Sequence, residues 1–273
     1  MRETLVVIGL VLLALGLRSS RVPVPRKLGA FMLLVASYLA LYFIFEKWYY
    51  GFLGVIPWFL LPWIELLTRI KRMRLPMENR LRHQVAPDPT FFPNATEAAS
   101  AMDEAGFEHV EDRGWDWSGM HQYFLLYWHP EERAEAAICL CEQGNVAFSF
   151  MSITSRDAEG NILRTTNFPF SPTLKCPDNI HWNHVPCEKN CFHQILKDHH
   201  EFLEKKKIDP ESLRVPDPEE IGSSVEVEMK TQIRYNLDAG IIRPCMDDTH
   251  FEYSSRGLFF LWGQYLKDMI RLC

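Results

Sequence analysis

The stretch LGAFMLLVASYLALYFIFEKWYYGFLGVIPWFLLPWIELL, residues 28–67, sets the class of this chain. Its first part, 28–45, is apolar at 16 of 18 positions and carries no charge. A helix of that length covers about 27 Å, close to the hydrocarbon thickness of a bilayer. The second part, 51–67, is apolar at 12 of 17 positions and contains Pro57 and Pro62, which remove backbone donors and are expected to bend the helix. Between them EKWYY leaves room only for a tight turn, and Trp48, Tyr49 and Tyr50 are residue types that settle at the headgroup boundary. The expectation is a membrane α-helical hairpin.

Upstream, 5–17 is apolar at 11 of 13 positions between Arg2 and Arg18. At about 20 Å it is short for a span, but LRSSRVPVP offers no small-residue cleavage site, so it is read as an uncleaved short span beside the hairpin. That gives two or three spans. Four basic residues lie in 18–27, one in the EKWYY turn and six in 69–82. The positive-inside bias places the first and last groups in the cytoplasm, and with them everything downstream. Glu65 is expected to pair with Arg69 one turn on rather than to serve an ion path.

Charge divides the chain in the same way. To residue 83 there are 12 Lys and Arg against 4 Asp and Glu; beyond it, 17 against 31. A basic apolar head, 1–82, thus precedes an acidic tail, which argues against nucleic acid as a partner of the tail's surface. The partners expected are the lipid bilayer and an unidentified protein. At 47% apolar and 23% charged residues overall, neither disorder nor a disulfide scaffold fits.

The tail reads as an α+β domain. NATEAASAMDEAG predicts a helix with Asn94 as N-cap, Glu97 as its capping-box partner and Gly106 as the stop. The runs QYFLLYW, AEAAICLC, VAFSFMSIT and ILRTTN, separated by HPEER, EQGN and RDAEGN, predict an antiparallel β-meander of four or five strands with that helix on one face. Trp115, Trp117, Tyr123, Tyr127 and Trp128 are read as packing residues rather than the lining of a ligand site. C-terminal helices are expected at 186–206, with His199 on the apolar stripe, and at 218–238, followed by a strand, an Asp-Asp turn, a strand and a helix from Ser255. The resulting division is 1–82 for the membrane region, 83–175 for the meander subdomain and 176–273 for a helical subdomain.

No G-x-G-x-x-G, P-loop, H-E-x-x-H, G-x-S-x-G or C-x-x-C is present. The densest set of potential ligands is KCPDNIHWNHVPCEKNCFH. Cys176, His184, Cys187 and Cys191 could supply the thiolates and imidazole of a zinc site, although no close cysteine knuckle is present. His193, His199 and His200 do not converge on one helical face, so His199 is read as a satisfied core histidine. The run LDAGIIRPCMDDTHFEYSSRG resembles the second half of a winged helix, which would imply DNA reading by 229–238. From residue 207 onward the balance is 8 basic against 12 acidic residues, and a wing used for packing or protein contact is the reading adopted. The functional expectation is a non-catalytic, membrane-anchored interaction, scaffolding or regulatory module. The alternatives are a membrane-bound metal-dependent protein or enzyme centred on 176–193, and a membrane-tethered winged-helix-like regulator.

Overall fold

The computed structural model describes residues 2–20, 22–78, 80–85, 91–117, 119–144, 146–186 and 191–272. Its contacts separate two compact units, one formed by Met1–Met73 with Tyr253–Cys273, the other by Arg74–Glu252. The boundaries read from the sequence at residues 83 and 175 both fall inside the second unit.

The first unit contains α1 (Arg2–Arg18), α2 (Pro23–Phe45), α3 (Trp48–Thr68) and α7 (Ser255–Leu272). Pro25 and its predecessor at residue 23 sit in the first turn of α2, where a missing N–H costs nothing. Glu46 ends α2 in the left-handed region at φ 53°, and extended Lys47 begins α3. Two stretches, Val24–Phe45 and Trp48–Arg72, are helices long and apolar enough to cross a membrane by length and composition. At 17 residues α1 is shorter than either.

The helices approach closely through small residues. A Cβ on Gly54 would stand 2.2 Å from the Ser37 carbonyl oxygen, and one on Gly29 would stand 2.7 Å from that of Ala14. Such contacts let backbones meet where apolar side chains alone give little driving force. The Trp58 indole donates to Ser37 Oγ at 3.0 Å, and Ser37 Oγ donates to the Leu33 carbonyl at 2.9 Å. Glu65 pairs with Arg69 at 3.9 Å, as the spacing predicts.

The second unit has an α+β layout. Its seven-stranded sheet runs β2 (Arg82–His83), β3 (Glu108–Trp117), β4 (Met120–His129), β5 (Ala134–Gln143), β6 (Val146–Arg156), β7 (Ile162–Thr166) and β8 (Ile180–His184) in that spatial order. Every pairing is antiparallel except β7 with β8. The meander is therefore larger than the sequence reading. It missed β3, whose Glu108, Glu111, Asp112, Arg113 and Asp116 hide the alternation, and it missed β8, whose IHWNH lies in the stretch weighed for metal binding.

Strand alternation sorts the sheet into two faces. Ala136, Ile138 and Leu140 on β5, with Met151 and Ile153 on β6, meet α4 (Ala95–Glu104) and α5 (Phe192–Lys206) through Ala98, Met102, Phe192 and Ile195. On the other face, Arg156 of β6 and Arg164 of β7 reach Glu228 of α6 (Ile221–Asp238). Helix α4 stops at Gly106, φ +83°, as the sequence suggests. Its start differs from the capping box: Asn94 lies in the left-handed region at φ 62° and its side chain makes no cap bond. Asparagine tolerates that conformation after Pro93, and the chain enters the helix directly from it. Helix α5 begins at Phe192 rather than 186, and residues 187–190 lie outside the described set.

Near the end of this unit a second sheet has the order β1 (Leu75–Pro76), β10 (His250–Tyr253), β9 (Ile242–Pro244). Leu75 pairs with Phe251 and Pro76 with His250. The strand, Asp-Asp turn, strand and helix thus stand where the sequence places them. The preceding helix α6 buries Ile221, Gly222, Ile233 and Asn236.

Candidate functional site

The polar centre of the second unit lies between α6 and strands β5 to β7. The Arg156 guanidinium grips Glu135 with a two-pronged contact, Nε to Oε1 and Nη2 to Oε2, both 3.2 Å. The same Nη2 donates to Ser224 Oγ at 3.2 Å and to Glu228 Oε1. Arg164 donates from Nη2 to Glu228 Oε2 at 2.7 Å and from Nε to Thr154 Oγ1 at 2.9 Å. Glu228 is thereby shared by two guanidiniums. Burial alone would raise its carboxyl, but Arg164 and Arg156, with the hydrogen bonds they donate, hold it below the usual carboxylate range.

These positions follow from alternation. Glu135, Thr154, Arg156 and Arg164 project to the α6 face, while Ile153, Ser155 and Thr165 project to the α5 face. Two arginines and two glutamates balance in charge, which makes a half-buried polar seam affordable. No short motif marks them, because they come from four separate elements and meet only across the sheet. What the sequence does show is polar residues interrupting otherwise apolar strands.

Above the seam is a groove of about 510 Å³, bordered by Arg133, Arg214, Ser223, Thr231 and Asn179. Its rim is held in place by backbone contacts. Arg133 donates to the carbonyls of Glu211 and Leu213, Arg214 to that of Ala158, and Asn179 to that of Gly160. Ser223 and Thr231 return their hydroxyl protons to Glu220 and Val227. The rim side chains are thus held in fixed positions around the groove. None of these groups is arranged as a nucleophile beside a base.

A serine and a histidine do meet elsewhere. His199 Nε2 is 3.1 Å from Ser155 Oγ, and Nδ1 is 2.9 Å from Thr165 Oγ1. A neutral ring donates to one hydroxyl and accepts from the other. All three residues are buried, His199 and Ser155 at 1% exposure, so the hydroxyls are closed to solvent. Burial, with a smaller push from His200, pulls the imidazole down to about 3. This is the satisfied core histidine expected from the helical stripe.

Of the four residues considered for zinc, Cys176, His184 and Cys191 are described, and these three are not gathered into one group. Cys176 is half-buried and lies 3.9 Å from Gln232 Nε2 on α6, and burial pushes its thiol up. His184 stacks on Trp182, ring centroids 5.5 Å apart, on the same side of the sheet. Cys191 is exposed at the start of α5, on the other side, and Cys187 lies outside the described residues. Among the described residues no group of three or more His, Cys, Asp or Glu side chains is placed to hold a metal ion. His200 pairs with Glu132 and His193 with Glu104, so they do not converge either.

Compared with protein-family models, curated proteins and solved structures, the chain matches none of them.

Proposed function

We propose that this chain is a multi-pass integral membrane protein whose α+β unit lies in the cytoplasm and acts without catalysis, as a recognition or regulatory module. The observation that carries the reading is the self-neutralised floor of the groove. Arg156 is shared by Glu135 and Glu228, and Glu228 by Arg156 and Arg164, so the charged groups form a wall rather than a reactive centre. The lipid partner is supported by the apolar lengths of α2 and α3, and the cytoplasmic side by the basic residues between Arg69 and Arg82. The protein partner is expected at the groove, through its fixed rim of hydroxyl, amide and guanidinium groups.

Two measurements test this. A fluorescent reporter fused after Cys273 should be active in cells and an export-dependent reporter silent; the reverse result would remove the cytoplasmic assignment. In crosslinked native membranes, a discrete adduct of the full chain should disappear when Ser223→Arg and Val227→Arg fill the groove in a protein that still melts cooperatively. An adduct indifferent to those changes would remove the groove from the reading.

A further inference from the structure

We infer that α7 is a lipid-contacting helix seated at the cytoplasmic boundary of the membrane, with acyl chains on one stripe and headgroup phosphates on the next. The inference rests on the membrane reading above and adds a second kind of membrane element to it.

Helix α7 is amphipathic in three sectors rather than two. At 100° per residue, Gly257, Leu258 and Leu261 share one sector and are buried. Nearly opposite them, Phe259, Gly263, Leu266 and Ile270 fall within about 60° of one another by the same helical geometry. Yet Phe259 is 61% and Ile270 70% exposed. Beside that stripe stand Arg256 and Lys267, both exposed, and Arg271. A core-closing helix has one apolar face and covers it. This one keeps a second apolar stripe uncovered, with cations along its flank, the arrangement that places a helix in the interface of anionic lipid.

The packing partner identifies what meets the stripe. Trp63 of α3 holds Phe259 edge-on at 4.9 Å between ring centroids and lies 6.3 Å from Trp262. The Trp262 indole donates to the Phe59 carbonyl at 2.8 Å. Helix α7 therefore packs on the one helix-forming segment that carries both prolines, within a stretch apolar enough to cross a membrane. Next to Trp63 on α3, Leu60, Ile64 and Leu67 are themselves exposed, Ile64 at 62%. The uncovered stripe of α7 is thus continuous with the uncovered apolar side of a candidate span. Exposed Phe259 and Ile64 need the same solvent, and a bilayer supplies it to both.

The test uses the full chain in vesicles of mixed zwitterionic and anionic phospholipid, with single cysteines scored against the unsubstituted chain. Phe259→Cys and Ile270→Cys should react with a membrane-impermeant maleimide at least about tenfold more slowly than Lys206→Cys, because the stripe lies among acyl chains. A lipid-soluble maleimide should label both readily, which separates lipid shielding from burial in protein. Leu60→Cys, mid-way along α3, reports the span itself. If Leu60→Cys is shielded while Phe259→Cys and Ile270→Cys react as fast as Lys206→Cys, the inference about α7 is overturned and the membrane reading stands. If Leu60→Cys also reacts freely, both are overturned.

Discussion

The indole nitrogen of Trp262 lies 2.8 Å from the carbonyl oxygen of Phe59, 203 residues earlier in the chain. Pro62 lacks the N–H that would serve the Trp58 carbonyl, one residue before Phe59, so the Trp262 indole adds a donor to a turn of α3 that is one backbone bond short. Trp262→Phe keeps the ring contact and removes the donor, and should cost about 1 kcal/mol. Trp262→Ala also removes the contact with Trp63 and should cost more. Thermal unfolding of the solubilised full chain ranks the two; equal effects would mean that the hydrogen bond carries the whole contact.

His199 gives the second unit a specific acid sensitivity. Its folded value, about 3, lies below the unfolded value of 6.5. The native state therefore binds fewer protons than the unfolded state between those limits. Stability is fully present above the unfolded value and falls as pH drops through the interval, by up to about 1.4 kcal/mol per unit. His199→Gln should be less stable at pH 7 yet show a shallower loss between pH 6.5 and 4.5. Parallel melting curves for the two proteins across that range would contradict the assignment.

The seam at Glu228 should behave as one unit. Glu228→Ala leaves Arg156 and Arg164 half-buried without their shared carboxylate, and should cost about 3–5 kcal/mol. Combining it with Arg164→Met should cost less than the sum of the two single changes, since the cation left unpaired is then gone. Additive losses in denaturant titrations would show that the contacts in the seam are energetically independent.

Metal content addresses the Cys176, His184, Cys187 and Cys191 set directly. Because Cys191 stands across the sheet from Cys176 and His184, the purified chain is expected to fold without stoichiometric zinc. A content of about one zinc per chain, lost with stability in the Cys187→Ala, Cys191→Ala double variant, would reverse that expectation.

Excision offers another check. Residues 74–252 contain both ends of the β1–β10 pairing and the whole seven-stranded sheet, and should be monomeric and melt cooperatively. Extending the fragment to residue 273 adds α7 without α3, leaving Phe259 and Trp262 without their contacts to Trp63 and Phe59, and should drive association visible by light scattering. A shorter fragment that fails to melt cooperatively would mean that the unit needs the helices.

Legibility in the sequence followed how local each signal is. Helix α2 is nearly uniform in composition, Gly106 and Gly240 punctuate helices, and Ser255 begins α7 within a residue of expectation, because those features are read within one element. Strand β3 was hidden because a strand next to a two-residue neighbour keeps polar side chains that mask alternation. The Asn94 cap failed because the spacing of a capping box cannot distinguish an extended Asn from a left-handed one. The seam was invisible for a different reason. Glu135, Arg156, Arg164 and Glu228 span more than ninety positions, and only the register of β5, β6 and β7 beneath α6 makes them neighbours. The docking of α7 on α3 joins the two ends of the chain, where an amphipathic pattern names a covered face but not its cover.

The contact between Phe59 and Trp262 also has a place in time. A ribosome adding about 5–20 residues per second needs roughly ten to forty seconds to make the chain between those two positions. During that interval α3 has already emerged, while its weakened turn waits for a donor not yet synthesised. The β1–β10 pairing waits with it, since its second strand is made just before α7. The helical unit can therefore be completed only after the sheet that separates its parts has been made, and a nascent chain whose sheet misfolds would leave α3 without its last partner.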